Sequence, residues 1–385
     1  MTTHMPAEVF APGEFIREEI ESRGWTQETL AEVLGKSARL VNEILTARRS
    51  ITPETASALA EAFGTTAELW LNLESAYQLS KISGDGGTVA RRSKLYSKAP
   101  VNDMVKRRWI ERSDDIDVLE QRVADFFGLE NIEDAIELIP HAARKSTSYE
   151  SVHPAVCAWL TMARRLATRV SAVTFSEARL KEALIALRAL LGSAIETRRV
   201  SAVLAKAGVR LVIVEHLPQS KVDGAAFWLD GAGKQPVVAL SLRYDRIDCF
   251  WFTLVHELMH IAYGDGLQGK ADFAGYDFDL VGHGARTSSA PAGIERERNQ
   301  QAAAYIVPPQ DLDGFIAREG PRFSKRQIVE FATSQGLHPG LVVGQLHYRG
   351  ALSWAQNRVL LERIRQHVTA TAITDGWGYS SRPAS

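Results

Sequence analysis

Between Tyr244 and Tyr263 the chain carries a run of mostly apolar residues at helical spacing that contains His256-Glu257-Leu258-Met259-His260, and no other segment restricts the fold so tightly. Residues four apart on a helix share one face, so His256 and His260 can offer imidazole nitrogens to a single metal ion. Glu257 stands about 100° around the axis, beside that face, in the position of a general base that takes a proton from water without entering the ligand set. A catalytic zinc needs three protein ligands and one open position, so a third donor has to arrive from elsewhere. Glu295 is the candidate. It opens Glu295-Arg296-Glu297-Arg298-Asn299, expected to be helical, in which Asn299 stands one turn later and can hydrogen-bond a ligating histidine. Glu297 points elsewhere. The competing reading is a pair of structural histidines; an apolar helix around the motif, β-rich segments before it and a carboxylate-bearing helix after it favour zinc. Of the remaining histidines, His4, His141, His153, His338, His347 and His367 read first as surface residues. His216 and His283, with Tyr263 and Tyr305, are secondary candidates for substrate-stabilising groups.

At 385 residues the chain exceeds what one hydrophobic core usually supports, which predicts two or three domains. Its formal net charge of -1 supplies no global attraction to nucleic acid, so DNA affinity requires a local basic patch. Cys157 and Cys249 are the two cysteines, too far apart for a thiolate cluster or disulfide framework, and they fit a reducing cytoplasm. No signal-like start and no long uninterrupted apolar run is present, so neither secretion nor a membrane span is expected.

From Pro12 to Ser80 the sequence reads as five short helices. Thr26 caps the helix through Leu34, Gly35 ends it, and Ser37 caps a second helix to about Arg48. Thr52-Pro53 opens another, and Thr65 with Glu68 matches a capping box. Leu40, Val41, Ile44 and Leu45 form the inner stripe of the Ser37–Arg48 helix, leaving Ala38, Arg39, Asn42 and Thr46 outside. Such side chains suit base edges in the major groove, while Lys36, Arg48 and Arg49 reach for phosphates, Gln27 for a backbone contact, and Ser37 stands at the entry to the same face. Residues 1–80 carry twelve acidic and six basic side chains, which keeps a protein-binding module open as the alternative. Segregation of charge favours DNA, because Lys36 to Arg49 holds four basic residues and one acidic.

Lys81 to Arg112 has nine basic and three acidic residues, with Gly84, Gly86, Gly87 and Pro100, and reads as a basic linker. Asp115–Glu137, Pro154–Val170 and Ser176–Lys206 show helical periodicity. Val209–Val214, Gly224–Leu229 and Pro236–Leu242 read as strands of one small sheet, with Gly224–Leu229 at its edge. A Gly-rich loop from Gly264 to Gly293 then separates the histidine helix from the one beginning near Ile294.

Two family resemblances add to these readings. Pro12-Gly13-Glu14, Trp25-Thr26-Gln27, Leu30-Ala31, Leu34-Gly35, Val41-Asn42, Ile51-Thr52-Pro53-Glu54-Thr55-Ala56 and Leu69-Trp70-Leu71-Asn72-Leu73 closely resemble the HigA-type antitoxins of the XRE-like helix-turn-helix class. The resemblance implies a homodimer on palindromic double-stranded operator DNA, autoregulation, and a cognate toxin as a partner. Asp223-Gly224-Ala225, Ser241 to Asp248, His256 to His260, Ala302-Ala303, Val307-Pro308 and Gly340 to Gly344 resemble the ImmA/IrrE zinc metallopeptidases. That second likeness implies Zn2+, a third ligand at Glu295, and cleavage of a repressor protein. Arg298 and Gln301 depart from its pattern, where small and aromatic residues are usual.

The expected fold class is therefore multi-domain and mainly α. It comprises a five-helix lambda-repressor-like helix-turn-helix domain (6–80), the basic linker (81–112), a helical connecting domain (113–206), an α+β zincin-like metallopeptidase domain with a small sheet (207–368) and a flexible tail (369–385). The expected function is a cytoplasmic DNA-binding regulator that cleaves a repressor or itself. The alternative is a non-proteolytic antitoxin or repressor whose peptidase-like domain serves as sensor or toxin-binding platform.

Overall fold

The computed structural model describes residues 9–81, 87–131, 153–267, 277–278 and 293–377, which divide into two units, Met1–Thr88 and Val89–Ser385. The first unit contains α1 (Pro12–Ser22), α2 (Gln27–Leu34), α3 (Ala38–Leu45), α4 (Pro53–Phe63) and α5 (Ala67–Lys81). Side-chain caps fix the boundaries. Thr26 accepts from Thr29 N, Ser37 from Leu40 N and Thr52 from Thr55 N, and Gly35 takes the left-handed φ of 62° that ends α2. Two sequence expectations shift. Helix α3 stops at Leu45 instead of Arg48, because Thr46 Oγ1 folds back onto Asn42 O at 2.7 Å and Ala47 adopts φ 53°. The cap of α5 is Thr66, whose Oγ1 accepts from Leu69 N, whereas Thr65 Oγ1 is taken by the Trp70 indole N–H at 2.8 Å. Ile16, Leu30, Val41, Ile44, Leu45, Leu59 and Trp70 form the core. At Gly13, α1 passes so close to α3 that a Cβ would lie 2.4 Å from Leu45 O.

The second unit begins with α6 (Thr88–Lys98), α7 (Val101–Lys106), α8 (Ile116–Phe127), α9 (Pro154–Ala167), α10 (Glu177–Arg188), a 3-10 turn (Ala194–Arg199) and α11 (Val200–Ala207). Strands β1 (Arg210–Ile213), β2 (Val222–Trp228) and β3 (Pro236–Leu240) lead into α12 (Ile247–Tyr263) and the short β4 (Asp277–Phe278). The chain continues through α13 (Gly293–Ile306), α14 (Pro309–Glu319), α15 (Lys325–Ser334), α16 (Pro339–Tyr348), a 3-10 turn (Arg358–Leu360), α17 (Arg365–Thr369) and β5 (Ile373–Thr374). The sheet order is β4-β2-β3-β1-β5; β1 runs parallel to β3 and β5, and β2 antiparallel to β3 and β4.

Strand alternation sends apolar side chains to both faces, as expected of a sheet covered on each side. Val212, Ala225, Phe227, Val237 and Ala239 pack with α6 to α9, whereas Leu211, Ile213, Ala226, Val238 and Leu240 pack with α10 to α12 and with α13 to α16. Three boundary expectations are thereby corrected. The segment 81–112 is no linker beyond Thr88: Leu95, Ala99, Val101, Met104 and Ile110 are buried. Its charges serve the fold, Arg91 pairing with Asp117 and Glu120, and Arg107 donating to the carbonyls of Glu215 and His216 at 2.6 Å each. Helices in 113–206 cover the sheet and form no separate connecting domain. The tail is ordered through residue 377, since β5 pairs with β1 and Arg107 bonds Asp375; 378–385 lie outside the described residues. Strand β2 is also not simply the edge, because β4 pairs with it at Val222 and Gly224, leaving Ala225 to Trp228 beyond that pairing. Among the described residues no helix is long and apolar enough to cross a membrane.

Candidate functional site

Helix α12 lies against β2 and β3 and is buried from Ile247 to Ile261, with His256, Glu257 and His260 at 0% exposure. Its apolar surroundings explain why so few polar residues interrupt it. Helix α13 packs across α12 and brings Glu295 to the histidines. His256 Nε2 and His260 Nε2 stand 2.9 Å apart, and Glu295 Oε2 lies 3.3 Å from the first and 3.5 Å from the second. One donor atom from each of the three residues falls within 4.8 Å of the others. A tetrahedral zinc with bonds of about 2.0 Å has ligand edges on the order of 3.3 Å. The three distances and the N, N, O donor set therefore fit such an ion. The three residues singled out from the sequence are thus brought together.

His260 is oriented by a residue the sequence reading did not single out. Its Nδ1 lies 2.9 Å from Asp265 Oδ2, while Arg298 Nε and Nη2 donate to Oδ2 and Oδ1 of the same carboxylate at 2.8 and 3.1 Å. An ionised carboxylate has only acceptors, so Nδ1 of His260 is the donor in this bond, and in the neutral ring Nε2 then turns a lone pair toward the cluster. Burial raises the Asp265 pKa, but the hydrogen bonds from His260 and Arg298 and the Arg298 charge outweigh it and hold the carboxyl below its ordinary value. Asp265 follows Gly264, which ends α12 at φ 70°; a carboxylate immediately past a histidine helix was the available sequence signal. Asn299, expected to orient a ligand, sits one turn after Glu295, yet its Oδ1 accepts no hydrogen bond among the described residues. Asp265 takes that role for His260 instead.

Glu257 is placed by the sheet. A Cβ on Gly224 of β2 would lie 2.5 Å from Glu257 Oε1 and 2.7 Å from Thr253 Cγ2, so a side chain at this point of the strand would have to displace the carboxylate. The His256 ring stacks on Phe252, which in turn meets Tyr348 of α16. Beside α13 opens a cleft of about 710 Å³ whose walls include Arg296, Asn299, Gln301, Gln345 and Tyr348. The secondary candidates fare differently. His216 lies by Arg107 and Arg243, and burial with those two charges lowers its pKa. Tyr305 donates to Leu184 O and is occupied structurally. Tyr263 OH accepts from Gln301 while its ring lies 3.8 Å from Arg298. His4, His141 and His283 fall outside the described residues.

In the first unit, α2, the turn Gly35–Ser37 and α3 form a helix-turn-helix. Val41, Ile44 and Leu45 of α3 are buried, whereas Gln27, Lys36, Ser37, Arg39, Asn42, Arg48 and Arg49 are exposed. The residues singled out as DNA contacts thus lie on the surface of this unit. Its charge is partly neutralised from within, since Glu43 binds Arg39 at 2.9 Å and Arg49 at 3.4 Å. The bonded Arg39, aided by Arg49, holds the Glu43 carboxyl below its ordinary value. Lys36 and Arg48 are exposed and have no ion-pair partner among the described residues.

A helix-turn-helix family profile matches residues 16–70. Virulence-associated protein I of Dichelobacter nodosus is 40% identical over 82 residues, 21% of this chain and 74% of that protein. Among solved structures, the Pseudomonas aeruginosa antitoxin HigA with the higBA promoter is 30% identical, covering 23% of this chain and 91% of its own, with a TM-score of 0.19. A second Pseudomonas aeruginosa protein, in complex with its 18-bp operator DNA, is 31% identical over 22% of this chain and 92% of its own, with a TM-score of 0.21.

Proposed function

The chain belongs, through its N-terminal domain, to the helix-turn-helix family, and on that premise we propose a DNA-binding, antitoxin-like transcriptional regulator whose second unit is a zinc-dependent endopeptidase. The observation that carries the enzymatic half is the convergence of His256, His260 and Glu295 beside the buried Glu257. The DNA-binding half is supported by the exposed face of α3, with Asn42 and Arg39 toward base edges and Lys36 and Arg48 toward phosphates. Its operator is double-stranded and palindromic, read by a homodimer, and a toxin encoded alongside is a further partner. The working compartment is the cytoplasm.

His256, His260 and Glu295 would hold the ion, which supplies a Lewis acid for a scissile carbonyl and makes water more acidic. Asp265 keeps the His260 ring in the ligating tautomer. Glu257 takes a proton from the attacking water and delivers it to the departing amine, a role that its desolvated carboxylate suits. An extended peptide from a repressor, or from this chain itself, pairs with β2 at Ala225 to Trp228, beyond the reach of β4. In the test, Glu257→Gln retains zinc and operator binding but loses peptide cleavage. Normal cleavage by a fully zinc-loaded Glu257→Gln chain would refute the mechanism. Zinc binding with no cleavage by the native chain would leave the second unit as a sensor or toxin-binding platform.

A further inference from the structure

Helix α13 carries two residues that act on the candidate metal centre from different directions. Glu295 supplies a ligand oxygen, and Arg298, three residues on and only 5% exposed, grips Asp265 at the far end of α12 through both Nε and Nη2. Asp265 in turn holds His260, its partner at 2.9 Å. The guanidinium is fixed on its other sides: its plane lies over Tyr263 of α12, 3.8 Å from the ring centroid, and Nη1 donates to Gln301 Oε1 at 3.2 Å. Gln301 donates to Tyr263 OH at 2.9 Å, closing the ring of contacts. Trp228 at the end of β2 donates its indole N–H to the Asp265 carbonyl at 3.0 Å, which ties the same turn to the sheet.

From this geometry we propose that Arg298 is a positioning residue which sets the spacing between the helix bearing Glu295 and the helix bearing the two histidines. The inference rests on the reading that His256, His260 and Glu295 hold zinc. Two parallel N–H···O bonds from a planar fork determine both distance and rotation between their elements, which a single ammonium contact does not. α13 runs from Gly293 to Ile306. Glu295 lies in its first turn, and the Arg298–Asp265 bond one turn further in ties the same helix to the end of α12.

The test compares the full-length chain with Arg298→Lys, Arg298→Met and Asp265→Asn variants. Zinc dissociation constants come from chelator competition at a temperature where circular dichroism shows each zinc-free chain folded, and absorption spectra are recorded after cobalt(II) replaces zinc. Loss of an outer-shell partner weakens metal binding by about 10- to 100-fold, and that is expected for Arg298→Met. Arg298→Lys, which keeps charge and loses the fork, should recover only part of it. The cobalt spectrum of Arg298→Met should move toward that of Glu295→Ala. Wild-type affinity and an unaltered cobalt spectrum in both Arg298 variants would overturn the inference, even if thermal stability fell. Absence of stoichiometric zinc from the native chain would instead remove the reading on which it rests.

Discussion

Replacing Gly224 by alanine adds one methyl group at the point where β2 crosses the carboxylate of Glu257. The new Cβ would stand 2.5 Å from Glu257 Oε1 and 2.7 Å from Thr253 Cγ2. An ordinary separation is about 3.5 Å, so relief requires a movement of up to about 1 Å. The carboxylate is the softest of the colliding groups, because Thr253 sits on a buried helix and β2 is hydrogen-bonded to β3 throughout. Misplacing a catalytic group by about 1 Å costs on the order of 10²-fold in rate, or about 2.7 kcal/mol of barrier. Zinc binding should survive, since none of the three ligands touches Gly224 in this way. The assay first selects a cleaved sequence from a peptide library by mass spectrometry and then compares kcat at matched zinc content. Adding Thr253→Ser removes the 2.7 Å contact but not the 2.5 Å one, so it should restore thermal stability without restoring turnover. A Gly224→Ala chain with full zinc and a kcat within twofold of wild type would refute the reasoning that the strand positions the base.

Four further outcomes are expected. Gly13→Ala drives a Cβ to 2.4 Å from Leu45 O, backbone against helix; overpacking of about 1–3 kcal/mol exceeds the helix-propensity gain of about 1 kcal/mol, so the N-terminal melting transition should fall, and an unchanged or higher midpoint in calorimetry would contradict the packing described. Glu43→Gln releases Arg39 and Arg49 from their shared carboxylate and should tighten binding to random duplex DNA with a steeper salt dependence, measured by fluorescence anisotropy; weaker binding would mean that the pairing orders the reading face. Lys36→Ala and Arg48→Ala should each lower the slope of log K against log salt by about 0.9, with little change in sequence preference; Asn42→Ala should instead relax discrimination at a single base pair.

The helices of the first unit were legible because capping is a local code. Thr26, Ser37 and Thr52 each bond the third residue onward, and the spacing is visible without a fold. Termination of α3 was less so, since it depends on Thr46 turning its hydroxyl back and on Ala47 accepting a positive φ. The candidate triad was legible for a similar reason: one helix fixes His256 against His260, and Glu295 was the carboxylate singled out in the helix that follows. Asp265 and Arg298 were not, because their roles arise only when α13 crosses α12. The basic segment after Thr88 misled through composition. Its arginines satisfy carboxylates and backbone carbonyls brought from Asp117, Glu120, Glu215 and His216, all distant in sequence, and local charge carries no trace of those partners.

The claim at the centre of this account is that two histidines and Glu295 hold one zinc. Native mass spectrometry of the purified chain, beside His260→Ala and Glu295→Ala, tests it directly. About one zinc per native chain is expected, with loss of the ion in both variants. A native chain that stays metal-free under reconstitution with zinc, or a Glu295→Ala chain that keeps its full complement, would contradict it.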